Sequence, residues 1–352
     1  MNYYWAFGLA LIISLALTPW VRRLAVRLGA VDQPVGGRKI HERPIPRLGG
    51  LAVAAAFFIP AIIFISFDRR LLGLIAGALI VLVIGVVDDI RGLGPWSKLF
   101  GQVAAAAAAL AGGIGISAIS NPFGAALSLN WGRTAVSLAG WHFHITPVAN
   151  LLSIIWIVGM INALNFLDGI DGLACGISSI ASFFLFALAI SLHQPAVALM
   201  AVILFGASLG FLPYNFFPAR IFLGDSGAYF LGLVLALIAI YSGGKLATAA
   251  LVLGFAIVDG LITVMRRLYH RRSPFMADRS HLHHLLLDFG LSQRQTVIIY
   301  YSIAILLGLL ALTSGTVVKL AAILILSLAT VVLVAILIRI SSGNKPKPDP
   351  SS

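Results

Sequence analysis

The chain has 352 residues, of which 60% are hydrophobic and only 10% are charged, and its formal net charge at pH 7 is +12. Its mean hydropathy is +1.02, whereas about a quarter of the residues are charged in an ordinary soluble domain. This composition excludes a water-soluble fold. Most of the positive charge is expected to flank membrane spans, so it does not indicate a nucleic-acid partner.

Charge-free apolar runs predict an all-α bundle of about eleven transmembrane helices, because roughly 20 apolar residues in a helix cross the hydrocarbon layer. The predicted helices are centred near residues 11, 58, 79, 108, 154, 182, 204, 235, 256, 305 and 328. They form one integral membrane domain over residues 1–340. The segment 341–352, which contains Lys-Pro repeats, is predicted to be a disordered cytoplasmic tail.

Basic residues in the loops orient the predicted bundle, because Lys and Arg in short loops stay on the cytoplasmic side. With the N-terminus outside and the C-terminus inside, 19 of the 24 basic residues lie inside. The five outside are Arg69, Arg70, Arg133, Lys245 and Lys319. On the outer side, apolar and polar residues alternate within 127–145 around Gly132, which predicts a small β-hairpin.

Acidic residues are few, 12 in all, and a charge at the bilayer centre costs at least about 2.5–3.5 kcal/mol. Seven of them fall on the predicted inner side, namely Asp88, Asp89, Asp168, Asp171, Asp225, Asp278 and Asp288. A solvated helix end explains any one of these carboxylates taken alone, and an N-cap explains Asp225. Capping does not explain Asp88, Asp89 and Asp168, because they end helices whose C-terminal dipole disfavours anions.

The spacing of these polar residues predicts which of them share a site. Adjacent Asp88 and Asp89 point about 100° apart on a helix, so only one of them is expected to face it. Asn162, Asn165 and Asp168 are spaced by three and therefore lie on one helical face. A polar site at the inner helix ends follows from both patterns.

The segment from Phe222 to Gly227 places Asp225 between glycines at a predicted helix start. Free backbone N–H groups and the positive end of the helix dipole can hold phosphate at such a position. Hard oxygen ligands beside a phosphate site predict Mg²⁺, with Mn²⁺ as the alternative, rather than zinc.

Three histidines, His281, His283 and His284, follow Arg279 in the last large inner loop. No cysteine accompanies them, so a zinc site is the weaker interpretation. Imidazoles beside an arginine suit phosphate oxygens better. An interfacial histidine cluster without a role in binding remains an alternative.

Three further basic residues are candidates for phosphate contacts. Lys39 and Arg47 lie in the first inner loop, which contains several prolines and is more basic than orientation of the bundle requires. Lys98 follows Asp88 and Asp89 by one loop. For the first loop, a role in orientation alone is an equal alternative.

Four segments carry a family resemblance: Asp88-Asp89, residues 162–173 (NALNFLDGIDGL), residues 214–227 (YNFFPARIFLGDSG) and residues 281–284 (HLHH). Together they resemble the polyprenyl-phosphate N-acetylhexosamine-1-phosphate transferases, of the glycosyltransferase family 4 type, over nearly the whole chain. This membrane family includes phospho-N-acetylmuramoyl-pentapeptide translocase. The helix number and the loop from Asp278 to Leu285 look like the undecaprenyl-phosphate N-acetylglucosaminyl-1-phosphate transferase branch.

The resemblance implies roles for individual residues. The expected catalytic residues are Asp88, Asp89 and Asp168, and the expected metal ligands are Asp225 and Asp88. The expected nucleotide-binding residues are Asn165, Asp171, Asn215 and Phe222, to which Lys39 is added for its charge and position. The expected phosphate- and sugar-binding residues are Arg279, His281, His283 and His284, with Lys98 added on the same grounds. Asp88 is expected to be the general base, and metal or phosphate binding is its alternative role.

The resemblance also implies an activity. A Mg²⁺-dependent enzyme of the bacterial inner membrane, with its active site on the cytoplasmic face, would transfer N-acetylglucosamine-1-phosphate from UDP-N-acetylglucosamine to undecaprenyl phosphate and release UMP. The product would start the synthesis of a cell-envelope glycan. A homodimer is left open. The alternatives are a UDP-N-acetylmuramoyl-pentapeptide donor and, in another class, a secondary transporter, whose coupling charges would lie near the midplane.

Overall fold

The computed structural model describes residues 2–33, 44–119, 121, 124, 126–138, 141–243, 246–269 and 281–343. Within them the chain forms thirteen α-helices and three pairs of short antiparallel strands. The helices are α1 (Tyr3–Arg27), α2 (Gly49–Phe64), α3 (Arg69–Arg91), α4 (Pro95–Ala111), α5 (Pro147–Leu167), α6 (Leu173–Ser191), α7 (Pro195–Asn215), α8 (Gly224–Tyr241), α9 (Leu246–Val252), α10 (Gly254–Tyr269), α11 (Leu282–Asp288), α12 (Gln293–Thr313) and α13 (Thr316–Gly343).

The predicted all-α bundle is confirmed, and each of the eleven predicted centres lies inside an observed helix. In the part of the chain that is described, eight helices are long and apolar enough to cross a membrane. Helices α9 and α10 together are long and apolar enough for one further span, and they are bent by 80° at the break between them. Helices α2 and α4, with 16 and 17 residues, are shorter than a full crossing of about 30 Å requires. The helices thus lie where they were predicted, but eight or nine of them, rather than about eleven, are long and apolar enough to cross the membrane within the described residues, and α11 is a short additional helix.

Large apolar side chains cover the outside of the bundle. On α13, for example, Leu324, Ile325 and Leu328 are all about 70% exposed. A soluble monomer rarely exposes a contiguous apolar patch of more than a few hundred Å². Lipid is the environment that such a surface fits, and the chain is therefore a multi-pass membrane protein.

The strands lie outside the helical bundle. They are β1 (Val31–Asp32) with β2 (Ile45–Pro46), β3 (Ala118–Ile119) with β4 (Leu127–Ser128), and β5 (Thr134–Leu138) with β6 (Trp141–Ile145). The predicted hairpin is present as β5 and β6, which pair from Thr134 opposite Ile145 to Leu138 opposite Trp141. Gly132, with a φ of +69°, lies before β5 and turns the chain between β4 and β5.

The last helix extends slightly beyond the predicted domain boundary at residue 340. Helix α13 continues to Gly343, so residues 341–343 of the predicted tail are helical. The remainder of that tail, 344–352, lies outside the described residues.

Helix α8 lies at the centre of the bundle, where it packs against α2, α3, α5, α6, α7 and α9. Almost all of its side chains are buried. Glycines allow the close approach of its neighbours, because a Cβ at Gly85 of α3 would collide with the backbone of Ser226. A Cβ at Gly50 of α2 would likewise collide with the backbone of Gly227. Small residues at helix contacts are typical of membrane bundles, where packing rather than the hydrophobic effect drives association.

We expect Gly85→Ala to destabilise the purified protein, because the added methyl group has no space against the backbone of α8. Overpacking of this kind costs about 1–3 kcal/mol, which a lower midpoint of thermal unfolding in detergent would reveal. Gly159→Ala on α5 is the matched control, since a Cβ there meets nothing within 4 Å. Equal midpoints for the two variants would contradict this account of helix packing.

Candidate active site

A cavity of about 940 Å³ opens at the end of the bundle where α3, α5 and α7 finish and α8 begins. Five carboxylates and three guanidinium groups are part of its wall. The charged and polar lining residues are Arg22, Asp32, Arg47, Asp89, Asn165, Asp168, Asp171, Asn215, Arg220, Asp225, His284 and Gln293. The residues come from separate helices, so the fold rather than a local motif assembles this site.

The first turn of α8 is held by carboxylates from two other helices. The backbone N–H groups of Asp225 and Ser226 donate to Asp89 at 2.9 and 3.1 Å, and the Ser226 hydroxyl donates to the same carboxylate at 2.7 Å. Gly224, the first residue of α8, lies close enough to Asp168, the residue that follows α5, for its backbone N–H to favour the ionised carboxylate. Asp89 therefore caps α8 from α3, and the positive end of the α8 dipole stabilises its buried charge.

This capping corrects the predicted use of the α8 start as a phosphate-binding helix end. The expectation assumed that the backbone N–H groups around Asp225 are free. The N–H groups of Asp225 and Ser226 are not free, because Asp89 accepts them. Asp89, rather than Asp225, caps the start of α8. The side chain of Asp225 lines the cavity instead.

Asp225 and Asp88 are linked through Lys98 at the start of α4. The Lys98 Nζ lies 2.5 Å from Asp88 Oδ2 and 3.6 Å from Asp225 Oδ2. Asn165 donates from Nδ2 to Asp225 Oδ1 at 2.5 Å. Asp88 further accepts the N–H of Leu93 at 2.7 Å, and its side chain is only 2% exposed. Asp225, at 29% exposure, is the more accessible of the two carboxylates that Lys98 contacts.

Asp168 is in the cavity wall between the end of α5 and the start of α6. Burial, together with the nearby carboxylates of Asp225 and Asp89, raises the pKa of Asp168 well above its usual range. Like charges held this close in a poorly hydrated site disfavour simultaneous ionisation. A cation bound beside Asp168 and Asp225 would therefore favour the ionised form of these carboxyl groups.

At another part of the wall, Asn215 closes α7 and is 2% exposed. Its Nδ2 donates to the carbonyl oxygen of Ile221 at 3.1 Å, while its buried Oδ1 has no hydrogen-bond partner within the described residues. Phe222 also lines the cavity, and its backbone pairs with Pro46 and Gly49 beside α2. An oriented amide acceptor near an aromatic ring is suited to a planar ligand that carries an N–H donor.

Asp171 connects the two loops that border this part of the cavity. Its Oδ2 accepts the backbone N–H of Ala219 at 2.8 Å. Tyr301 of α12 donates its hydroxyl to the carbonyl oxygen of Gly172 at 2.6 Å, next to Asp171 in the chain. The loop between α5 and α6 is thereby fixed against the loop between α7 and α8.

The histidines divide into one that lines the cavity and two that lie behind it. His284 contributes to the lining. His283 is 1% exposed and packs against Gly169, and its burial, with the adjacent His284 and His281, lowers its pKa well below the usual value. His281 stacks on His283 with ring centroids 5.6 Å apart and pairs with Asp259 of α10.

The structure brings eight of the predicted site residues into the cavity wall, namely Asp89, Asn165, Asp168, Asp171, Asn215, Phe222, Asp225 and His284. Asp88, Lys98, His281 and His283 do not line it. Lys39 and Arg279 lie outside the described residues.

Other lining residues were not predicted as part of the site: Arg22, Asp32, Arg220 and Gln293. Arg22 and Arg220 were interpreted only as charges that orient the bundle. Asp32 forms an ion pair with Arg47, with Oδ1 and Nη2 2.9 Å apart, and so fixes one side of the mouth. The position of Arg220 within the segment 214–227 was a usable signal for its location.

The acidic part of the wall fits a hard divalent cation better than a soft one. Its donors are carboxylate oxygens, with Asp225 and Asp168 facing the cavity. Among the described residues, no group of three His, Cys, Asp or Glu side chains forms a closed metal centre. Mg²⁺ is characteristically held by one or two carboxylates and completes its octahedral shell with waters and substrate phosphates.

Comparison with known proteins shows the family of the chain. Glycosyl transferase family 4 matches residues 71–243, a range that contains Asp88, Asp168 and Asp225. The probable undecaprenyl-phosphate N-acetylglucosaminyl 1-phosphate transferase of Bacillus subtilis (strain 168) is 34% identical over 314 residues, which cover 87% of this chain and 83% of the relative. The chain belongs to glycosyl transferase family 4.

Two other relatives within this comparison have different substrates in their names. The decaprenyl-phosphate N-acetylglucosaminephosphotransferase of Mycolicibacterium smegmatis is 32% identical over 83% of this chain and 77% of its own length. The phospho-N-acetylmuramoyl-pentapeptide-transferase of Endomicrobium trichonymphae is 31% identical over 78% of this chain and 81% of its own length. The chain therefore spans most of the length of both relatives.

We expect Asp89→Asn to lower the stability of the protein, since an amide NH₂ would oppose the N–H and O–H donors of α8 and the charge on its dipole would be lost. The loss should be about 2–3 kcal/mol, measured as a lower unfolding midpoint without any substrate. Asp68→Asn is the control. Asp68 caps α3 at the opposite end of the bundle, and Asn caps a helix about as well as Asp. A midpoint unchanged in Asp89→Asn would refute the capping role.

Proposed function

We propose that this protein transfers N-acetylglucosamine-1-phosphate from UDP-N-acetylglucosamine to undecaprenyl phosphate and releases UMP. One observation supports the proposal most. Carboxylates, an amide acceptor, an aromatic ring and a histidine from separate helices meet in one cavity of about 940 Å³ at one end of the helical bundle. The names of the Bacillus subtilis and Mycolicibacterium smegmatis relatives point to the same donor sugar and to a polyprenyl phosphate acceptor.

The nucleobase is proposed to bind at Asn215 and Phe222. The buried, unpartnered Oδ1 of Asn215 can accept a hydrogen bond from the uracil N–H, because Nδ2 is already committed to Ile221. Phe222 offers a ring face for stacking, an interaction worth about 1–3 kcal/mol per base. Asp171 holds the adjoining loop through Ala219, so it acts on the nucleotide through the shape of the pocket.

The diphosphate is proposed to lie between the acidic and the basic parts of the wall. Mg²⁺ bound at Asp225, with Asp168 nearby, would neutralise the developing charge on the phosphates. Guanidinium groups of Arg22, Arg47 and Arg220 line the same cavity and are suited to bidentate phosphate contacts. His284 adds a further donor to the same region.

In the proposed reaction, an oxygen of the lipid phosphate attacks the β-phosphorus of the nucleotide sugar. The bond from the β-phosphorus to the bridging oxygen breaks, and that oxygen leaves as part of UMP. A phosphate monoester carries most of its second negative charge at pH 7, so the attacking oxygen needs no strong base. Catalysis then consists of positioning and charge neutralisation, as is general for phosphoryl transfer.

Asp88 therefore receives a different proposed role from that of the expected general base. It does not line the cavity, and Lys98, Tyr229 and Leu93 already occupy its oxygens. We propose that it holds Lys98 against Asp225, so that the ammonium group orients this carboxylate. A carboxylate paired in this way serves as a support for the metal ligand rather than as a proton acceptor.

The two rival functions are a secondary transporter and a transferase that uses a different donor. A secondary transporter would place its ionisable groups near the middle of the membrane, whereas these carboxylates gather at one end of the bundle. A UDP-N-acetylmuramoyl-pentapeptide donor remains the second candidate because one relative with that activity in its name is 31% identical. An enzyme assay with both donors decides between them.

We expect purified protein with UDP-N-acetylglucosamine, undecaprenyl phosphate and Mg²⁺ to release UMP and form a lipid-linked diphosphate sugar. EDTA should abolish the reaction, and added Mg²⁺ or Mn²⁺ should restore it. Asp225→Asn should lower kcat/KM by at least about 100-fold, since it removes a charge that acts on the transition state. Asp68→Asn, far from the cavity, should retain the parent rate.

A panel of UDP-sugars tests the donor in the same assay. Product from UDP-N-acetylmuramoyl-pentapeptide but not from UDP-N-acetylglucosamine would overturn the proposed donor. Uptake of a nucleotide sugar into proteoliposomes without UMP release would overturn the transferase itself.

We also propose that the cavity faces the cytoplasm at the bacterial inner membrane, because the helix end around it carries Arg22, Arg47, Arg91, Lys98 and Arg220. Arg91→Cys and Arg133→Cys test this orientation, since both positions are exposed at opposite ends of the bundle and the one native cysteine, Cys175, is buried. A membrane-impermeant thiol reagent should label Arg133→Cys in intact cells, but Arg91→Cys only after permeabilisation. The reverse pattern would mean the opposite orientation.

A further inference from the structure

Asp259 of α10 is a buried carboxylate outside the cavity wall. Its side chain is 3% exposed, and both of its oxygens contact the start of α11. Oδ1 accepts the backbone N–H of Leu282 at 2.9 Å, and Oδ2 lies 3.1 Å from His281 Nδ1. When Asp259 is ionised it can only accept, and the contact then requires a proton on His281 Nδ1.

The helix that Asp259 contacts also carries His284 into the cavity. Helix α11 has seven residues, too few for stability by its own hydrogen bonds. On its other side, His283 packs against Gly169, the residue after Asp168. His284, whose ring centroid is 4.3 Å from that of His283, lines the cavity. Asp259 is the polar anchor that connects this short helix to the long helix α10.

We propose that Asp259 is a positioning residue, which fixes α11 through His281 and Leu282 so that His284 stays in the cavity wall. The consequence for catalysis rests on the proposed function, in which His284 contacts the phosphate region. Burial of a carboxylate is costly unless it is hydrogen-bonded. A displacement of α11 that broke the contacts of Asp259 with His281 and Leu282 would therefore be unfavourable. A hydrogen bond with a fixed direction at each oxygen therefore sets both the position and the rotation of the helix.

The position of His284 can be measured without any activity. Cys175 is the single native cysteine and is fully buried, so His284→Cys adds one accessible thiol. Asp259→Asn in that background should raise the rate of labelling by a bulky maleimide about tenfold or more, the factor that corresponds to about 1.4 kcal/mol of lost anchoring. Val258→Ala, a buried change next to Asp259 on α10, should leave the labelling rate unchanged.

A double-mutant cycle measures the consequence for catalysis. Asp259→Asn alone should lower kcat for UMP release at saturating donor, but it should have little further effect in a His284→Ala background. Effects that multiply, together with an unchanged labelling rate, would overturn the proposal and leave Asp259 with a role in stability alone. If no variant and no parent protein transferred sugar, the proposed function would fail, whereas the labelling arm would still decide whether Asp259 positions His284.

Discussion

The capping of α8 by carboxylates from other helices is the interaction on which the site depends. Asp89 of α3 accepts the N–H groups of Asp225 and Ser226, and Asp168 after α5 lies beside Gly224, so three helix ends meet at one point. Without this contact, the buried N–H donors of α8 and the buried carboxylate of Asp89 would both lack hydrogen-bond partners. The glycine contacts at Gly50 and Gly85 bring the helices close enough for it to form.

The acidic residues around this point have different roles, which depend on what each one contacts. Asp89 and Asp88 are occupied by protein groups, from α8 and from Lys98 respectively. Asp225 and Asp168 line the cavity, where a bound cation would favour their ionised forms. The arrangement separates residues that hold the site together from residues available to a cation and its phosphates, although all four have the same side chain.

The sequence was sufficient for the helix positions and for much of the cavity wall. Long apolar runs determine spans almost directly, and the spacing of Asn165 and Asp168 placed both on the face that lines the cavity. The pairing of Asp89 with α8 could not be predicted, because it joins residues 136 positions apart and no local pattern encodes it. For the same reason Arg22 and Arg220 were treated as orienting charges, and the bend between α9 and α10 was hidden in one continuous apolar run.

The long separation between Asp89 and its partners has a consequence for how the protein is made. Chain synthesis at about 5–20 residues per second leaves an interval of roughly 7–27 s between the emergence of Asp89 and that of α8. Over this interval the carboxylate has to remain hydrated at the membrane surface, since a buried charge without a partner is expensive. The end of α3 should therefore reach its final depth only when α8 inserts beside it. Biogenesis of this protein would then include a late repositioning of a helix that was among the first to leave the ribosome.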